Sequence, residues 1–123
     1  MNYKPRKTPY RKSEANALTK CIVQYIEYNG GFASRINNMG TYRPGLQRYT
    51  RSNSKKGIAD IMGTYKGISL NIEVKIGRDK LSEYQIQVQE KVTKAGGIYY
   101  IARNFSDFKV FFDNLNLKKE EKL

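Results

Sequence analysis

Two apolar runs, IADIMGTY at residues 58–65 and ISLNIEV at 68–74, are separated only by Lys66-Gly67. No other feature constrains the chain as much. Both runs favour β-branched and aromatic residues, and a two-residue link with Gly is a strong hairpin signal. With Lys66 and Gly67 as the central turn residues, Tyr65 faces Ile68. Counting outward then puts Asp60 opposite Glu73 on one face, with Cβ atoms roughly 5 Å apart. Side chains alternate along a strand, so Lys75 shares that face. A four-residue loop centred on the same place keeps this pairing, and a loop with an odd count breaks it.

Two carboxylates directly opposite each other destabilise a sheet unless something compensates. A solvated hairpin face with a Glu–Lys pair is the plain account of an E-x-K triplet taken alone. A divalent cation is the other compensation, because Mg²⁺ favours one or two carboxylates plus waters and phosphate oxygens. The chain contains no His, which removes His-ligated zinc and Ser-His or Cys-His catalysis. Any catalysis must use carboxylates, lysine, tyrosine or an oxygen-ligated metal.

The remaining elements follow from local signals. Residues 1–12, MNYKPRKTPYRK, read as a flexible basic arm with two prolines and no apolar run after it, unlike a signal peptide. Ser13 is an N-cap candidate for a helix carrying Leu18, Cys21, Ile22, Tyr25 and Ile26, stopped by NGG at 29–31. GFASRIN at 31–37 suits a short strand, and residues 38–57 read as a long loop. LSEYQIQVQEKVTKAGG at 81–97 is a punctuated helix. Ser82 and Gln85 have capping-box spacing, Leu81 and Ile86 have staple spacing, and Gly96-Gly97 ends it. IYYIA at 98–102 is a strand, and Ser106 would cap a last helix with Phe108, Phe111, Phe112 and Leu115 on one face. A charged tail, residues 116–123, closes the chain. The order α, β, β, β, α, β, α implies one α/β domain over 13–115, a mixed sheet with a hairpin flanked by helices.

Charge points to the partner. Lys and Arg number 23 against 11 acids, a net charge of +12, which attracts polyanions and nucleic acid first among them. No acid occurs from Tyr28 through Ala59, while Arg35, Arg43, Arg48, Arg51, Lys55 and Lys56 occur there with Tyr42 and Tyr49 interleaved. This segment is a candidate DNA cradle, the cations on phosphates and the tyrosines on exposed bases. A solvated loop is the alternative. A single cysteine, Cys21, excludes a disulfide framework and suits a reducing cytoplasm. No segment has the length and apolarity of a membrane span.

Two further polar residues stand in ambiguous places. Glu14 suits a helix start electrostatically, yet it also ends the Leu18–Cys21–Tyr25 stripe. Gln85 can serve the capping box, yet it also shares a stripe with Val88, Val92 and Ala95 that should face the sheet.

Taken in order, Asp60, IEVK at 72–75 and SEYQ at 82–85 resemble the PD-(D/E)xK nuclease superfamily, and within it the VRR-NUC (virus-type replication-repair nuclease) domains. The elements that carry the resemblance are Glu14 on an early helix, GIAD at 57–60, the IEVK strand, RDKLSEYQ at 78–85 and the glycine-led strand GGIYYIA. It covers residues 13 to 103, and Ala59 stands where the family usually has Pro. The resemblance implies a restriction-endonuclease-like αβββαβ core and Mg²⁺- or Mn²⁺-dependent hydrolysis of DNA. It assigns Asp60, Glu73 and the Val74 carbonyl to the metal, with Glu14 as an outer or second-metal ligand. Lys75 and Gln85 complete the catalytic set. It also implies branched DNA as substrate, a homodimer, and a phage or prophage setting in the host cytoplasm. The alternatives are a restriction- or exonuclease-type member of the superfamily, a non-catalytic basic nucleic-acid-binding module, and a ribosome-like structural protein. GIYYI at 97–101 only imitates the GIY-YIG nucleases, whose two halves lie apart and early in the domain.

Overall fold

Lys66 and Gly67 both adopt positive φ, 48° and 79°, in the computed structural model of the protein. This is the type I′ turn, whose twist matches that of paired strands. The turn joins β4 (Ile61–Tyr65) to β5 (Ile68–Val74), and the register pairs Tyr65 with Ile68 and Ile61 with Ile72. The structure describes residues 7–36, 41–43, 45, 48–50 and 55–121.

Around this hairpin lie α1 (Lys7–Tyr28), β1 (Phe32–Arg35), β2 (Thr41–Arg43), β3 (Arg48–Thr50), α2 (Glu83–Lys94), β6 (Ile98–Ala102) and α3 (Phe105–Glu121). The main sheet runs β1-β4-β5-β6, antiparallel up to β5 and parallel between β5 and β6. Parallel neighbours need a crossover, and α2 supplies it. The protein is therefore α/β, with a four-stranded mixed open sheet and three helices.

The two faces of β5 have different fates. Leu70, Ile72 and Val74 join Leu18, Ile22 and Ile26 of α1 and Phe108, Phe112 and Leu115 of α3 in the core. Four of the largest members, Phe108, Ile22, Ile26 and Ile72, are fully buried. Burying a side chain of this size stabilises by about 1.5–3 kcal/mol. The Tyr25 hydroxyl donates to Asp113 at 2.8 Å, and Lys109 pairs with the same carboxylate at 3.0 Å, tying α1 to α3. Asn71, Glu73 and Lys75 alternate to the opposite face, the side of α2.

Several boundaries depart from the sequence expectations. α1 begins at Lys7, so residues 7–12 are helix rather than arm and Ser13 does not cap it. Pro9 lies in the first turn, where its missing N–H has no intrahelical acceptor to lose. Residues 1–6 of the expected arm fall outside the described residues. The 38–57 loop contains a small antiparallel pair, Thr41 with Thr50 and Tyr42 with Tyr49. Its three-residue strands are too short to show a period. Asn104, not Ser106, caps α3, its Oδ1 accepting from Asp107 N–H at 2.8 Å. The helix continues to Glu121, through most of the expected tail.

α2 begins as expected. The Ser82 and Gln85 side chains and backbones bond reciprocally in a capping box. Its inner stripe is shallower than expected. No residue of α2 is fully buried, Val88 and Val92 are half-buried and Ala95 is exposed. The helix packs against β6 at the sheet edge, while Phe32 and Met62 on the β1–β4 part of that face are exposed.

Candidate active site

The polar row on β5 lies where α2 and the residues before β4 approach the sheet. Asp60 sits one residue before β4, and the hairpin register carries it opposite Glu73. The odd-loop case, which would have separated them, does not occur. Asp60 Oδ2 accepts from Val74 N–H at 2.9 Å, and the Asp60 carbonyl accepts from Ile36 N–H at 2.7 Å. These bonds hold its backbone and its carboxylate together at the end of the sheet. The N–H and C=O of one strand residue leave the same edge, so the Val74 carbonyl is on the Asp60 side as well.

Glu73 is buried, its side chain only 5% exposed. Oε1 accepts from Gln85 Nε2 at 2.9 Å and faces Lys75 Nζ at 3.8 Å. Oε2 is buried with no hydrogen-bond partner. Buried polar atoms are nearly always bonded, so this oxygen requires either a proton shared with Asp60 or a cation. Burial, first, and then the neighbouring Asp60 carboxylate push the Glu73 carboxyl up to about 8, against the opposing pull of Lys75.

The Gln85 ambiguity resolves in favour of both roles. Its amide oxygen accepts from Ser82 N–H at 2.8 Å, completing the cap. Its amide nitrogen donates to Glu73. Lys75 N–H bonds to the Ala102 carbonyl at 3.0 Å, extending the β5–β6 pairing one residue, and the side chain is 18% exposed. Asp60, Glu73, Lys75 and Gln85 are therefore brought together.

Other candidates stand apart. Among the described residues, no three of Asp, Glu and Cys gather as a metal-holding group, so Glu14 does not complete a triad with Asp60 and Glu73. Arg35 reaches Asn16 of α1 at 2.8 Å rather than the carboxylates. Arg43 pairs with Arg48 and Tyr42 with Tyr49 in the backbone register of β2 and β3. Arg51 lies outside the described residues. Lys55 and Lys56 are exposed, and the Lys56 ammonium sits 5.0 Å from the Tyr84 ring centre.

One residue of the neighbourhood, Tyr99, had no role in the sequence reading, and one, the Gly57 of GIAD, gains a physical reason. Tyr99 of β6 is buried, pairs with Asn71, and donates to the Gly57 carbonyl at 3.2 Å. Burial, then the Glu73 and Asp60 charges, raise its phenol. Gly57, at φ 90°, lies so close to the Tyr84 carbonyl that a Cβ would collide with it. The glycine of GIAD was a visible signal for this close approach, while the tyrosines carried none.

Two carboxylate donors, one with a vacant buried oxygen, and a nearby backbone carbonyl suit a hard divalent cation, which accepts few protein oxygens and keeps waters. No helix among the described residues is long and apolar enough to cross a membrane. The sequence matches no protein-family model and no curated protein.

Proposed function

We propose that the protein is a metal-dependent deoxyribonuclease of the PD-(D/E)xK type, with a restriction-endonuclease-like core, hydrolysing phosphodiester bonds in branched DNA. The observation that carries this reading is the convergence of Asp60, Glu73 and Lys75 on one open face, with Glu73 buried and one of its oxygens orphaned. A merely solvated hairpin face would expose its carboxylate. A passive nucleic-acid binder has no use for two acids facing each other beside a polyanion.

Asp60, Glu73 and the Val74 carbonyl would hold Mg²⁺ or Mn²⁺, which supplies Lewis-acid activation of the phosphate and of a water. The chain's own residues do the rest. Gln85 fixes one Glu73 oxygen and leaves the other without a hydrogen-bond partner. Asp60 is fixed by Val74 N–H. Lys75, partly exposed beside Glu73, presents its ammonium to the attacking water or to charge building on the phosphate oxygens. Water adds to phosphorus and the bond to the 3′ oxygen breaks, leaving a 5′-phosphate and a 3′-hydroxyl. A homodimer acting on branched DNA would place two such sites about a two-fold axis for paired cuts. A cytoplasmic setting and the cradle at 28–59 belong to the same reading.

The test adds Mg²⁺ to purified protein with a four-way junction, a flap and a plain duplex. Cleavage of the first two, lost in EDTA, supports the reading. Cleavage of duplex ends alone selects the exonuclease alternative. Binding without cleavage in Mg²⁺ or Mn²⁺ selects the non-catalytic module.

A further inference from the structure

Tyr84 occupies the second position of α2, one residue before the glutamine that bonds Glu73. The Cα of Gln85, which bonds the site, is therefore about 3.8 Å from that of Tyr84. Tyr84 itself is 51% exposed. The ring is exposed and its surroundings are defined. Lys56 lies over it, Gly57 packs against the Tyr84 backbone, and the Gly57 carbonyl is pinned by Tyr99. The segment carrying Lys56 also leads directly to Asp60. Ring, ammonium and carboxylates are thus parts of one braced unit.

We infer that Tyr84 and Lys56 form a nucleotide subsite at the edge of the catalytic face, where the ring stacks on an unpaired base and the ammonium meets the adjoining phosphate. The inference rests on the nucleic-acid part of the proposed function and names its selectivity. A base inside a duplex already has both faces stacked on neighbours, so a protein ring gains contact only with a base that is unpaired or at an end. A ring on the residue directly before the glutamine that bonds Glu73 therefore favours DNA whose strand opens next to the scissile phosphate. The cation over the ring is what a phosphate-bearing ligand would displace or recruit.

The test uses the full chain in EDTA, where no cleavage occurs, and a single strand carrying a fluorescent purine analogue. Binding of the wild-type protein should quench the analogue through stacking. Tyr84→Ala should lose the quench and weaken single-strand and flap binding roughly tenfold. Its affinity for blunt duplex should change less than about twofold. Tyr84→Phe, which keeps the ring, should restore quench and affinity, and it separates loss of stacking from loss of folding. Lys56→Ala should weaken binding while retaining the quench. Retention of full quench and affinity in Tyr84→Ala overturns the inference, as does an equal loss on duplex and single strand. The nuclease reading fails separately. Tyr84-dependent quenching without cleavage in any metal leaves the subsite standing, whereas cleavage with no Tyr84 dependence removes only the subsite.

Discussion

Glu73→Gln should make the metal-free protein more stable at neutral pH while destroying the proposed activity. The carboxyl of Glu73 is raised from 4.5 to about 8 in the folded chain, first by burial and then by Asp60. An acid that holds its proton more tightly when folded stabilises the fold below its unfolded value. That contribution is lost as pH rises from about 4.5 toward about 8, because the unfolded chain ionises first. Each factor of ten in proton affinity is about 1.4 kcal/mol, so the ceiling near pH 7 is about 3 kcal/mol. The pull of Lys75 is already contained in that value, and water reaching the edge of the site reduces the figure to about 1–2 kcal/mol. Glutamine has nearly the same shape. Its oxygen can still accept from Gln85 Nε2, and its amide can donate to Asp60, so neutrality comes without a new orphan. The assay is urea unfolding in EDTA across the pH range, taken as the difference between variant and wild type. The difference should be near zero at about pH 4.5 and grow to a midpoint shift of about 1 M by pH 8. A difference that does not change with pH, or a variant less stable at every pH, refutes the reasoning.

Lys75→Ala should abolish cleavage in Mg²⁺ while leaving DNA affinity within about twofold, as gel shifts beside a cleavage assay will show; unchanged cleavage ends the mechanism. Gly57→Ala combines a positive φ with a collision against the Tyr84 carbonyl, and should cost about 2 kcal/mol or more in thermal or urea unfolding. Phe108→Ala empties the centre of the α1–α3 core and should cost about 3–5 kcal/mol, read as loss of the cooperative transition. DNA affinity should fall by orders of magnitude between low and physiological salt, and a flat salt dependence counts against the basic cradle.

What could be read from sequence followed from short-range geometry. With Lys66-Gly67 as a two-residue turn, counting along the chain sets Asp60 opposite Glu73, and the Tyr65–Ile68 pairing meets that condition. The Ser82–Gln85 cap was equally local. Residues 7–12 look like part of a basic arm by charge and composition, yet the first turn of a helix tolerates Pro9 and α1 begins at Lys7. Ser106 and Asn104 are both good caps, and the choice depended on which side chain reaches Asp107 N–H. The depth of α2 was overestimated because periodicity reports which face is apolar and not how closely the sheet approaches it. Tyr99 on Gly57 and Lys56 on Tyr84 join segments far apart in the chain, which no local pattern encodes. The same limit left Glu14 ambiguous: helical spacing gave its stripe but not its distance from the carboxylates.

The Gln85 amide links two events that are usually separate. One end closes the first turn of α2 and the other steadies Glu73, so a glutamate there could keep the cap but would repel its neighbour. Helix ends are the first places to fray on warming. When that turn opens, the steadying donor leaves with it, although the aromatic core beneath the sheet remains intact. Activity should then decline with temperature ahead of global melting, with the end of a helix acting as the fuse for the site.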